Sequence, residues 1–105
     1  MNFNRVSVEE TRELMSKGEV TILDIRDEQS YTEGHLPDAM HIKGINIDDF
    51  VAHQDKEKPL LIYCYHGHSS MPAAAYFADR GFNRTYSMDG GYEAWRVSIP
   101  GSAER

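Results

Sequence analysis

Leu60-Leu61-Ile62-Tyr63-Cys64-Tyr65-His66-Gly67-His68-Ser69-Ser70 leads into Met71-Pro72-Ala73-Ala74-Ala75-Tyr76-Phe77-Ala78, and this stretch decides how the chain folds. The four residues after Pro59 are apolar, as in a strand buried on both faces. A polar loop containing Gly67 follows. The alanine-rich run then has high helix propensity, and Gly81 ends it. Strand, loop and helix in this order form the repeating unit of a parallel α/β sheet.

The same pattern extends outward. Val20-Thr21-Ile22-Leu23-Asp24-Ile25 is β-branched and nearly continuous in apolar character, a second buried strand. Before it, Ser7-Val8-Glu9-Glu10 reads as a capping box that starts a helix from Val8 to about Lys17, with Gly18 as its stop. Asp27 to Asp38 is polar, punctuated by Gly34 and Pro37, and reads mostly as loop. Ala39 to Ile42 is a short strand. Asn46 caps a helix from Ile47 to about His53, and Gln54 to Lys58 is a charged loop. Thr85-Tyr86-Ser87 is a further short strand, Asp89-Gly90-Gly91 a turn, and Tyr92 to Val97 a last helix carrying Trp95. Ser98 to Arg105 is expected to fray. The reading is α/β, with a central, mostly parallel sheet flanked by helices on both faces. In such sheets ligands sit beyond the carboxyl ends of the strands. Cys64, Asp24, Arg26 and Asp27 all fall at that end.

The 105 residues fit one domain, 1–105. A single cysteine excludes an internal disulfide and argues against a stapled secreted scaffold. Met1 to Val8 lacks the pattern of a signal peptide. No apolar run approaches the roughly 18 residues that span a bilayer. A cytoplasmic protein with no membrane partner is expected. The net charge is −6 and the pI about 5.2, which disfavours nucleic acid as a partner. It also means that a small anionic substrate needs local help.

Backbone can supply that help. A lone cysteine after an apolar strand is ordinarily a small buried hydrophobe. A core cysteine, however, needs no polar loop leading straight into a helix. Such a turn can aim the N–H groups of Tyr65, His66, Gly67, His68, Ser69 and Ser70 inward, beside the positive end of the helix dipole. A thiolate in that nest is stabilised, and its pKa falls. The same donors can hold an anionic substrate. Pro72 lies past the loop, where a missing N–H costs nothing. It also pushes Met71 away from helical angles, so a late helix start is expected. His66 and His68 have three readings: solvated loop residues, donors to a bound anion, or, with Cys64, a Cys-x-His-x-His metal site. The metal reading lacks an obvious fourth ligand. Ser69 and Ser70 hydroxyls can cap the helix, donate to substrate, or both.

Three motifs together resemble the rhodanese family. Asp24-Ile25-Arg26 with Tyr31-Thr32-Glu33-Gly34-His35-Leu36-Pro37-Asp38-Ala39 is similar to its front signature. The six-residue loop from Cys64 is similar to its active-site loop. Asp89-Gly90-Gly91 with Trp95 is similar to its closing signature. Within the family, Cys64-Tyr65-His66-Gly67 followed by Ser69-Ser70 is especially similar to the single-domain, GlpE-type thiosulfate sulfurtransferases. The resemblance implies a five-stranded parallel sheet with the cysteine at its carboxyl edge. It implies thiosulfate as donor, and cyanide or a dithiol such as reduced thioredoxin as acceptor. Carried over by position, Cys64 is the sulfur carrier and the backbone of Tyr65 to Ser70 its cradle. Many members place Arg or Lys in this loop. Here there is none, and His68 stands where the GlpE type commonly has a small polar residue. His35, Asp24 and Arg26 read as braces near the site, and Trp95 and Tyr92 as packing for the last helix.

The implied chemistry passes through a Cys64 persulfide with release of sulfite, and needs no metal, nucleotide or organic cofactor. Two alternatives belong to other classes. One is a non-enzymatic persulfide carrier or binding module in a sulfur relay. The other is a Cys-dependent phosphatase, which needs Cys-x5-Arg to grip phosphoryl oxygens; Ser70 occupies the arginine position.

Overall fold

The computed structural model describes residues 2–105. In chain order its elements are β1 (Phe3–Val6), α1 (Val8–Ser16), β2 (Thr21–Asp24), α2 (Glu28–Glu33) and β3 (Met40–His41). A 3-10 turn (Ile42–Gly44), α3 (Ile47–His53), β4 (Leu60–Tyr63), α4 (Ser70–Ala78), β5 (Thr85–Met88) and α5 (Gly91–Ser98) follow. The five strands form one sheet in the order β1-β5-β4-β2-β3. Every pairing is parallel.

Strand alternation divides the core into two layers. Leu61 and Tyr63 of β4, with Ile22 of β2, join Val8, Met88 and Trp95 in one cluster, against which Leu14, Met15 and Tyr92 pack. Leu60 and Ile62, with Leu23, join Phe50 of α3 and Ala74 and Phe77 of α4 in the other. Helices α1 and α5 thus cover one face, α3 and α4 the opposite one. Being covered on both sides, β4 has no polar face, and all four of its residues are buried.

Local chemistry sets several boundaries as expected. Ser7 and Glu10 form a reciprocal capping box on α1. The Asn46 side chain accepts from the Asp49 amide to start α3. Other boundaries differ. The segment read as loop after Asp27 contains α2, because Asp27 caps it by accepting from the Ser30 amide at 3.0 Å and the Ser30 hydroxyl at 2.7 Å. Helix α2 buries none of its residues completely, so it lacks the apolar stripe that marks a helix in sequence. Strand β1 was not anticipated. It is an edge strand with Asn4 and Arg5 exposed, placed by its ladder to β5 rather than by its own pattern.

Helix α4 begins at Ser70, earlier than Pro72 suggested, with Met71 inside it. As the third residue of the helix, Pro72 forfeits only an N–H that has no helical partner. The tail, expected to fray, folds back after α5. His35 and Glu104 exchange both backbone hydrogen bonds at 2.8 Å.

Candidate active site

Cys64 follows β4 at the carboxyl edge of the sheet and is 7% exposed. Its sulfur accepts from the Gly67 amide at 3.1 Å and the Ser70 amide at 3.3 Å. The Ser70 hydroxyl lies 3.4 Å away. Burial pushes the thiol pKa up. The Ser70 hydroxyl, then the backbone amides of Ser70, Gly67 and His66, outweigh it, and the net shift is downward. Each of these donors favours the anion over the thiol.

The loop divides into two sets. Gly67 and Ser70 are buried and face the sulfur, whereas Tyr65, His66, His68 and Ser69 are exposed. The expected cradle of six amides therefore narrows, as far as the sulfur is concerned, to Gly67 and Ser70 with help from His66. Ser69 makes no side-chain capping bond to α4. The Ser70 hydroxyl is taken by Cys64 and by Ser87, 2.7 Å away. Among the described residues, no group of three His, Cys, Asp or Glu side chains could hold a metal ion. The Cys-x-His-x-His arrangement does not form.

Two glycines make the loop possible. Gly67 has φ +93°, and a Cβ there would lie 2.8 Å from the Gly90 nitrogen. Gly91 has φ +59°, and a Cβ there would lie 2.6 Å from the Tyr65 carbonyl oxygen. That closeness has a use. The first amides of α5 lack helical partners, and they donate to the site loop instead: Tyr92 to the Cys64 carbonyl at 2.9 Å, Glu93 to the Tyr65 carbonyl at 3.0 Å. Gly91 thus lets the start of α5 grip the loop from outside through Tyr92 and Glu93, while the Gly67 and Ser70 amides point inward.

A second buried cluster stands beside the first. Asp24 is 0% exposed. Arg26 donates to it through Nη2 at 2.6 Å and Nε at 3.1 Å, and the Tyr63 hydroxyl donates at 2.5 Å. Burial and the Asp24 charge together push the Tyr63 hydroxyl pKa well above its ordinary value. Arg26 also donates to the Gly34 carbonyl at 2.6 Å and lies over the Tyr92 ring at 4.0 Å. Its guanidinium is committed and does not supply the charge missing from the cysteine loop. His35 stacks on Tyr31 at 4.0 Å, with Nδ1 2.8 Å from the Tyr31 carbonyl. These are braces, as their sequence context suggested. A cavity of about 460 Å³ lies near α4, lined by Ile25, Ile42, Pro72 and Tyr76 among others; Cys64 does not line it.

Ser87 was missed as a site residue. Its strand was anticipated, but its place beside Cys64 comes from the β4–β5 register, which pairs it with Ile62. Nothing local in Thr85-Tyr86-Ser87 signals that pairing.

A buried cysteine facing amides at a helix start, on a parallel five-stranded sheet, defines a class. The chain belongs to the rhodanese-like domain family, matching it over residues 7–98. It is 46% identical over 98 residues to the thiosulfate sulfurtransferase GlpE of Ectopseudomonas mendocina, covering 93% of this chain and 89% of that protein. It is 44% identical to the thiosulfate sulfurtransferase GlpE of Pseudomonas savastanoi pv. phaseolicola, covering 93% and 92%. Among solved structures, the BH2092 protein of Bacillus halodurans superposes with a TM-score of 0.79 at 31% identity, over 96% of this chain and 76% of that one. A rhodanese-like domain protein of Staphylococcus aureus shares the fold with a TM-score of 0.73 at 24% identity, over 88% and 90%.

Proposed function

We propose that this chain, residues 1–105 acting as one rhodanese domain, is a thiosulfate sulfurtransferase working through a Cys64 persulfide. The Cys64 thiolate attacks the outer sulfur of thiosulfate. A new S–S bond forms as the bond to the sulfonate sulfur breaks, and sulfite leaves with that electron pair. The outer sulfur is left as a persulfide anion, and the Gly67 and Ser70 amides suit its charge. Cyanide, or one thiolate of a dithiol such as reduced thioredoxin, then attacks the outer sulfur and restores the Cys64 thiolate. No general base is required, because the nucleophile is already ionised. The covalent intermediate predicts ping-pong kinetics. A reactive lone thiol suits a reducing compartment, the cytoplasm.

The observation that carries this reading is the pair of amides aimed at a buried sulfur, at 3.1 and 3.3 Å. The relatives named thiosulfate sulfurtransferase support thiosulfate as donor. With no cation in the loop, backbone dipoles hold the dianion, and Tyr65, His66, His68 and Ser69 stand at the exposed rim of the loop where it would enter. The phosphatase alternative loses ground, since the residue at its arginine position, Ser70, is fully buried and bonded to Cys64 and Ser87.

Intact mass after incubation with thiosulfate tests the proposal. Wild type should gain one sulfur atom and Cys64→Ala none. Cyanide should remove it and yield thiocyanate. An unchanged mass on folded wild type overturns the enzyme reading. Loading without transfer to cyanide would favour the carrier alternative.

A further inference from the structure

Ser87 lies on β5 and is 1% exposed. Its hydroxyl oxygen is 2.7 Å from that of Ser70, and either can donate. No other side-chain hydrogen bond reaches it among the described residues. Ser70, 0% exposed, reaches the Cys64 sulfur at 3.4 Å. Sulfur and two hydroxyl oxygens thus form a buried row of three atoms with two links.

Counting protons shows what the row prefers. With Cys64 ionised there are two hydroxyl protons for two links. Ser87 donates to Ser70, Ser70 donates to sulfur, and every donor is used. With Cys64 protonated there are three protons for the same two links, and one donor is left without an acceptor. A buried donor without a partner is costly. A hydroxyl that accepts a hydrogen bond is also polarised into a better donor.

We propose that Ser87 is a positioning residue for Cys64: by donating to Ser70 it turns the Ser70 hydroxyl onto the thiolate. It rests on the reading of Cys64 as the nucleophile and adds a part contributed by a strand distant in sequence. Ser87 does not touch the reacting sulfur and acts only through Ser70.

Other titratable or charged groups at this edge remain the same when Ser87 is changed. They are Tyr63 on β4, Asp24 at the end of β2 with Arg26 and Asp27 after it, His41 at the end of β3, Tyr65, His66 and His68 in the loop, and Tyr76 on α4. Asp89 beyond β5 is paired with Arg5, and Tyr92 and Glu93 stand on α5, the latter paired with Arg96. Differences between the variants below therefore isolate the hydroxyl row.

Iodoacetamide alkylation of Cys64 across pH, in wild type, Ser87→Ala, Ser70→Ala and the double variant, reads the thiolate without any sulfur transfer. Below the midpoint the rate should fall about two- to fourfold in Ser87→Ala and about tenfold or more in Ser70→Ala. In the Ser70→Ala background, Ser87→Ala should add nothing. A Ser87→Ala profile matching wild type, or an equal Ser87→Ala effect without the Ser70 hydroxyl, overturns the proposal. In wild type, the Ser87 Cβ resonance should titrate with the Cys64 midpoint, and a flat response overturns it even if a variant does not fold. Normal alkylation shifts without sulfur loading would instead defeat only the sulfurtransferase reading.

Discussion

Two neighbouring strands of the sheet each end at a buried acidic group, and the molecule treats the two groups in opposite ways. At the end of β2, Asp24 faces a full counter-charge: Arg26 holds it in two-point contact, with the Tyr63 hydroxyl alongside. At the end of β4, the Cys64 sulfur has neutral partners only: the Gly67 and Ser70 amides donate to it, and the Ser70 hydroxyl lies 3.4 Å away. A carboxylate gripped by guanidinium is spent in holding loops together. A sulfur met only by dipoles has its anionic form favoured with no counter-charge locked against it, which is what the proposed reaction requires. The difference teaches that burial alone assigns no role, and that the kind of donor does.

The largest expected effect breaks the comparison on the cysteine side. Cys64→Ala should abolish sulfur loading and transfer while the protein stays folded, as mass spectrometry and circular dichroism together would show. Next comes the ion pair. Arg26→Ala leaves Asp24 buried without its counter-charge and should cost about 3–5 kcal/mol in urea unfolding. A loss under 1 kcal/mol would mean that the pair is not the brace described here.

Gly67→Ala tests whether loop geometry holds the donors in place. The left-handed backbone and the nearby Gly90 nitrogen should make it cost about 1–3 kcal/mol. The low-pH alkylation rate of Cys64 should fall as the Gly67 amide moves off the sulfur.

The pH dependence should be milder, and its sign follows from the depressed thiol pKa. Folding binds fewer protons at Cys64 than unfolding does. The stabilisation is fully present above the unfolded thiol value of about 8.5 and is lost as pH falls through the lower folded value. The stability of wild type relative to Cys64→Ala should therefore rise toward alkaline pH, measured by denaturation at a series of pH values. The alkylation midpoint should lie below that of the unfolded chain's thiol. The smallest effect sharpens the contrast between ion pairs. Arg5 and Asp89 meet at 2.8 Å with 63% and 45% of their side chains exposed, and Arg5→Ala should cost less than about 1 kcal/mol.

Much of this was legible residue by residue. The β4 run, the Ser7–Glu10 capping box and the Asn46 cap announce themselves, because apolar runs and caps are local chemistry. Cys64 stood out because its loop is polar where a core cysteine would need no loop. Helix α2 was hidden because it buries no complete face. Strand β1 was hidden because its partner lies more than eighty residues away. The anchoring of the tail was hidden because its partner, His35, lies almost seventy residues away.

By itself, the sequence determined the alternation of strands and helices, the parallel sheet and the cysteine at its carboxyl edge. Each of these follows from periodicity and from where a polar loop interrupts it. Only the tertiary structure decided which loop amides meet the sulfur, that Gly91 lets α5 grip the loop, and that Ser87 lies behind Ser70. Those are matters of strand register and close backbone approach, set by partners distant along the chain, and no local pattern encodes them.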